Sequence, residues 1–206
     1  MSDYLIPEKN TQFEQIIKKS RFIAFIGHAP DSQAAHLFID SIRSNYPDAR
    51  HVCWAFLAGE PNNTTSVSCS DDGEPGGTAG KPMLNVLQYS EVGEIVAVVV
   101  RYFGGIKLGT GGLARAYSGS VSEALKNTPT CTQIDYKPVN LNLSYALEDA
   151  VRHLLGQFSV EITDTSYAEA LTVYCQCPKD QWPVLQQRLA DVGRGQILIS
   201  EPQYEA

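Results

Sequence analysis

Two glycine-rich runs hold the residues best suited to chemistry. The first reads Asp71-Asp72-Gly73-Glu74-Pro75-Gly76-Gly77-Thr78-Ala79-Gly80-Lys81-Pro82, and the second reads Arg101-Tyr102-Phe103-Gly104-Gly105-Ile106-Lys107-Leu108-Gly109-Thr110-Gly111-Gly112. Glycine loses the most backbone freedom on folding, so its concentration here implies a chain that turns sharply or comes close to something. Both runs lead into helical patterns. A helix start aims backbone N–H groups and a positive dipole end outward, where phosphate or carboxylate can sit. The candidate anion- or nucleic-acid-binding residues are therefore Gly76, Gly77, Gly80 and Lys81 in the first run. Arg101, Gly104, Gly105, Lys107, Gly109, Gly111 and Gly112 supply them in the second, with Arg115 just beyond. Basic groups interleaved with Tyr102, Phe103 and Tyr117 would suit single-stranded RNA, phosphates on the cations and bases on the rings. The same residues also read as tight loops, salt bridges and core aromatics. Asp71, Asp72 and Glu74 have the oxygen ligands that hard metals such as magnesium take, and they equally read as turn-forming carboxylates.

Several sharper motifs are excluded by spacing. The first run imitates a phosphate-binding Walker loop, but it has Pro75 where glycine is needed and Pro82 where Ser or Thr should follow the lysine. Gly109-x-Gly111-x-x-Ala114 imitates a dinucleotide fingerprint, yet Gly104 to Leu108 separate it from the preceding strand, and Asp135 is a poor ribose-binding acid. His28, His36, His51 and His153 form no metal-binding arrangement, and Ser118 lacks a nucleophile-elbow context. Cys53 and His51 fit a structural pair on one strand face at least as well as a catalytic pair. Cys175-Gln176-Cys177 is too close for a zinc pattern and places both thiols on one strand face, a core arrangement. No catalytic residue, metal site or cofactor is assigned on these grounds.

The elements that must position the two runs follow from periodicity. Strands are expected at 22–28, 51–57, 65–70 and 94–103, with a polar turn at 59–63. A helix at 32–45, capped by Ser32, presents Ala35, Phe38, Ile39 and Ile42 on one face. Pro82 suits the first turn of a short helix to about residue 89. The unbroken apolar stretch at 95–100 belongs at the centre of a sheet covered on both faces. A helix at 113–125 has Leu113, Ala116, Tyr117, Val121, Ala124 and Leu125 as its stripe. The rhythm changes near 128–138, dividing the chain into domains at 1–133 and 134–206. The second reads β-α-β-β-α-β, the order of a ferredoxin-like domain. The fold class expected is α+β in both parts.

Composition bounds the function. Hydrophobic residues make up 43% and charged residues 19%, enough to build a core without disulfides or structural metal. A net charge of −7 argues against general coating of nucleic acid, so any such contact must be a local basic patch. Five cysteines, an odd number with no C-x-x-C pair, fit a reducing compartment. The first five residues lack a basic segment followed by an apolar run, and the longest apolar run is too short to span a bilayer. A cytoplasmic protein with no membrane association is expected.

The block from Ser68 through Asp71-Asp72-Gly73-Glu74-Pro75-Gly76-Gly77-Thr78-Ala79-Gly80-Lys81-Pro82 is long and specific. With Met83 to Leu87 and Val98-Val99-Val100-Arg101-Tyr102-Phe103-Gly104-Gly105-Ile106-Lys107-Leu108-Gly109, it resembles the signature of the IMPACT family, uncharacterised protein family 0029. The likeness covers roughly residues 19–127, and residues 139–201 resemble the small C-terminal domain of bacterial members. It implies a first domain like domain 2 of ribosomal protein S5 and a tail like the last domain of elongation factor G. Both relatives handle RNA or ribosomes, so the resemblance implies RNA, the ribosome or a translation factor as partner, in the regulation of translation. The kinase-linked mechanism of eukaryotic members depends on a domain ahead of the family block, where only about twenty residues stand here, and it is not carried over. An enzyme or sensor for a small phosphorylated ligand and a protein-interaction module remain alternatives; fold alone does not decide between them.

Overall fold

The computed structural model describes residues 4–61 and 63–201; Asn62, within the turn expected at 59–63, lies outside this range, as do residues 1–3 and 202–206. Tyr4–Gln133 form one compact unit and the residues from Ile134 onward form another. Both mix helices and sheets, the α+β class expected.

The first unit is built on β1 (Tyr4–Pro7), β2 (Thr11–Ile17), β3 (Ser20–His28), α1 (Ser32–Asn45), β4 (His51–Leu57) and β5 (Val67–Ser70). It continues with α2 (Gly80–Gln88), β6 (Ile95–Tyr102), α3 (Thr110–Lys126) and β7 (Thr130–Gln133). Its main sheet has the order β2-β3-β6-β4-β5, antiparallel throughout, and β1 pairs with β7 as a separate ribbon. The central strand is β6. Ile95, Ala97 and Val99 pack against α2 and α3, while Val96, Val98 and Val100 pack against α1, so two cores sit on opposite faces of one sheet. These six side chains are fully buried. Each larger one contributes about 1.5–3 kcal/mol on transfer from water, an upper value since the unfolded chain is already partly collapsed. A doubly covered strand read as a continuous apolar run therefore needs no parallel sheet.

The helix ends differ from expectation in small ways with clear causes. Asp31, not Ser32, caps α1, because its Oδ1 accepts the Ala34 N–H at 2.7 Å. The second helix starts at Gly80, so Pro82 is its third residue, still within the turn where a missing N–H costs nothing. The third starts at Thr110, three residues before its apolar stripe. Strands β1, β2 and β7 were not expected, since short, half-polar edge segments carry little periodic signal.

The second unit runs β8 (Tyr136–Leu143), α4 (Glu148–Leu155), β9 (Glu161–Tyr167), β10 (Leu171–Pro178), α5 (Trp182–Gly193) and β11 (Leu198–Ser200). Its antiparallel sheet has the order β11-β8-β10-β9, the split arrangement of a β-α-β-β-α-β chain. Val139, Leu141, Leu143, Leu171 and Val173 face Val151, Leu154, Leu155, Leu185 and Leu189 in one core. Cys175 and Cys177 are buried in that core as free thiols.

Candidate nucleic-acid interface

The topology of the first unit gathers both glycine-rich runs at one end of the main sheet. Because β3 and β4 flank β6 antiparallel to it, both start where β6 ends: Phe22 and His51 lie opposite Arg101. The run after β5 reaches the same end, where Asp72 Oδ2 accepts the Val52 N–H at 2.8 Å. The run after β6 leads from there into α3.

The first run is closed by its own carboxylate. Asp71 accepts N–H bonds from Gly77 at 2.7 Å, Ala79 at 2.8 Å and Gly80 at 2.9 Å. Burial alone would raise its pKa, but these donors, with Thr78, outweigh it and hold the carboxyl below the usual carboxylate range. The positive end of α2 therefore has an internal anion. Gly80 is present for close approach, since a Cβ there would stand 2.8 Å from the Ser70 backbone N. Gly76, Gly77 and Lys81 are exposed. Asp72 also accepts from Arg43 Nη2 at 3.3 Å, and its backbone oxygen bonds His51 Nδ1 at 3.0 Å. Glu74 is buried and accepts from Arg101 and Tyr117. The three carboxylates considered for metal are thus each committed to protein donors. Among the described residues no group of three or more His, Cys, Asp or Glu is placed to hold a metal ion.

Arg101 is buried and not displayed on the surface. It is only 6% exposed, with Nη1 2.5 Å from Glu74 Oε1 and Nη2 3.5 Å from Ser20 Oγ. Its guanidinium lies between the Phe22 and Phe103 rings at 5.5 and 5.6 Å. Among the described residues its Nε is the one buried side-chain polar atom without a hydrogen-bond partner. The Tyr117 hydroxyl donates to Glu74 at 2.8 Å; burial, then the nearby Cys53 and Glu74, push the phenol well above its usual range. Burial likewise pushes the Cys53 thiol up to about 12, which makes it an inert core group.

The second run is open where the first is closed. No side chain caps α3, whose cap residue Gly109 has φ +71°, and Gly111 and Gly112 make up its first turn with Thr110. Lys107 and Gly105 are exposed beside it. Gly104 serves packing, since a Cβ there would run into the Lys19 backbone, and its N–H donates to Ser20 Oγ at 3.2 Å. This contact brings Lys18-Lys19, the exposed two-residue turn between β2 and β3, alongside the run; both have positive φ, the pattern of a type I′ hairpin turn. Phe103 remains 55% exposed over Arg101. A cavity of about 440 Å³ lies behind it, lined by Arg50, His51, Glu74, Pro75, Arg101, Phe103, Lys107, Leu108, Gly109, Thr110 and Leu113. Arg115 is on the other side of the α3 start: it lines a separate groove of about 820 Å³ between α2 and α3, and its Nη1 is 3.6 Å from where a Gly111 Cβ would be.

The structure thus joins Arg101, Glu74, Lys107 and Gly109 in one place, leaves Lys81 beside the closed run and puts Arg115 on a different wall. Arg50 escapes sequence reading because it is a lone cation before β4, adjacent only through the strand order. Asp71 as an internal anion had one available signal, the tendency of Asp to bond to backbone N–H groups a few residues ahead.

The fold and this sheet end define a two-part α+β protein whose first part carries a glycine-bounded basic edge. Residues 18–125 match the Impact N-terminal domain and residues 141–196 a domain of unknown function, DUF1949. The chain belongs to the IMPACT family. It is 42% identical to the IMPACT family member YigZ of Escherichia coli (strain K12) over 97% of this chain and 98% of that one. It is 40% identical to an IMPACT family member of Haemophilus influenzae over 97% of each chain. A crystal structure of a hypothetical protein, 41% identical, covers all of both chains with a TM-score of 0.71. No helix among the described residues is long and apolar enough to cross a membrane.

Proposed function

We propose that this protein binds RNA of the translation machinery in the cytoplasm, through the sheet end where α3 begins. The observation that carries the reading is Phe103, 55% exposed, lining one cavity together with Arg50, Arg101 and Lys107. A base can stack on that ring while phosphates meet the two exposed cations and the uncapped α3 start. Lys18 and Lys19, exposed on the turn beside the same run, add to a local basic patch on a chain of net charge −7. The family likeness to RNA-handling domains supports translation as the setting. A small phosphorylated ligand is the second reading, favoured by the cavity's volume of about 440 Å³, within the range of small-ligand sites.

Fluorescence anisotropy with a labelled single-stranded oligoribonucleotide across a salt series tests the first reading. Arg50→Ala and Lys107→Ala should each weaken binding and reduce the slope of log K against log salt by about 0.7. Phe103→Ala should weaken binding with the slope unchanged, since a stacked base releases no counterion. Wild-type and variant titrations that coincide would remove RNA from this site.

A further inference from the structure

We infer that the cavity behind Phe103 is a receptor for a phosphomonoester, the terminal phosphate of an RNA strand, rather than for the diester links along it. The inference rests on the RNA reading of the same site and gives its chemistry. Three independent features converge. The first is charge. Arg50, Arg101 and Lys107 line the cavity against one carboxylate, Glu74, leaving two positive charges in excess. A diester link carries a single negative charge, whereas a phosphomonoester near pH 7 carries close to two and offers three acceptor oxygens. The second is the orphaned donor. Arg101 is 6% exposed, its two terminal nitrogens reach Glu74 and Ser20, and its Nε–H has no acceptor in the protein. A buried donor without a partner is costly, and it belongs to a side chain that lines the cavity, so a phosphate oxygen seated there with a small shift of the guanidinium would supply the missing acceptor. The third is the start of α3, seventeen residues long, with no side-chain cap and with Gly109 and Thr110 in the cavity wall. The closed run at the start of α2 is the internal contrast: there Asp71 already supplies the anion.

Glu74, Arg101 and Leu113 are the buried part of the cavity lining, and Phe103 is exposed. The exposed Phe103 ring gives the nucleoside attached to that phosphate a face on which to stack.

The test compares one oligoribonucleotide sequence with 5′-phosphate, 3′-phosphate and hydroxyl ends, beside a nucleoside monophosphate and inorganic phosphate, by anisotropy, competition and calorimetry. The expected result is that an end phosphate raises affinity about tenfold or more, the scale of one or two charge-assisted hydrogen bonds. Arg50→Ala and Lys107→Ala should collapse that ratio toward one. Arg101 is left intact because its loss would unsettle the core. Equal affinity for phosphate- and hydroxyl-ended strands would overturn the inference while leaving RNA binding standing. Binding of the nucleoside monophosphate with no RNA binding would overturn the RNA source and keep the phosphomonoester. Silence of all five probes would overturn both.

Discussion

At the scale of single residues, the deciding fact is how each charge is paired. Arg101 and Glu74 face each other with side chains 6% and 4% exposed, so neither charge can be left alone at small cost. Removing one partner of a buried pair strands the other. Arg101→Ala should therefore lower stability by about 3–5 kcal/mol, read as a fall in the urea midpoint. Replacing the pair together, Arg101→Met with Glu74→Leu, should recover most of that loss, because the desolvation cost of both charges goes with them. Lys107→Ala, on an exposed side chain, should leave the midpoint nearly unchanged. The sequence presents Arg101 and Lys107 alike, as basic residues on one glycine-rich run. Their difference depends on a residue of the other run, Glu74, and on Tyr117 one helix further on, a proximity that spacing along the chain does not encode. The same limit hid Asp71, whose partners lie six to nine residues ahead but only because the loop folds back on it.

At the scale of elements, periodicity served well where an element is long and one-sided or wholly buried. The alternation on α1 and α3 and the apolar run of β6 were legible because burial selects side chains at a fixed spacing. Strands β1, β2 and β7 were not, because edge pairing is satisfied by backbone groups whatever the side chains. The contrast between α2 and α3 is also invisible to pattern: two glycine-rich approaches to a helix, one closed by a carboxylate of its own run and one open. That contrast predicts an opposition between stability and binding. Thr110→Asp places a carboxylate in the first turn of α3, where the helix dipole should stabilise the fold by about 0.3–1 kcal/mol. The same charge repels phosphate. The variant should melt at a slightly higher temperature and bind RNA more weakly, with both read on one preparation by thermal unfolding and anisotropy. Weaker binding with a lower melting temperature would mean that the open helix start is a structural necessity and not a reserved site.

At the scale of the whole molecule, the two units have separate cores, and the cysteines report on each. Cys53 lies in the first unit beneath α3, with its thiol pushed up to about 12 by burial. Cys175 and Cys177 lie in the second, pushed by burial to about 12 and about 11. Cys131 is exposed on β7, and Cys69 is half-buried. Alkylation needs the thiolate, so near pH 8 the buried thiols should stay unmodified in the folded chain while Cys131 reacts. Unfolding of a unit both exposes its thiols and returns them to an ordinary pKa, which makes labelling a local clock. A short pulse of iodoacetamide across a urea series, resolved by peptide mass spectrometry, should give one midpoint for Cys53 and another shared by Cys175 and Cys177. The larger first unit, with apolar layers on both faces of its sheet, should retain protection to higher urea than the second, whose sheet packs its helices against a single core. A common midpoint for all three thiols would mean that the units unfold as one cooperative body, and the division near residue 133 would then describe geometry but not stability. Separate midpoints also decide how the binding variants should be read, because a phosphomonoester seated at the α3 start should raise the Cys53 midpoint by mass action and leave that of Cys175 and Cys177 where it was.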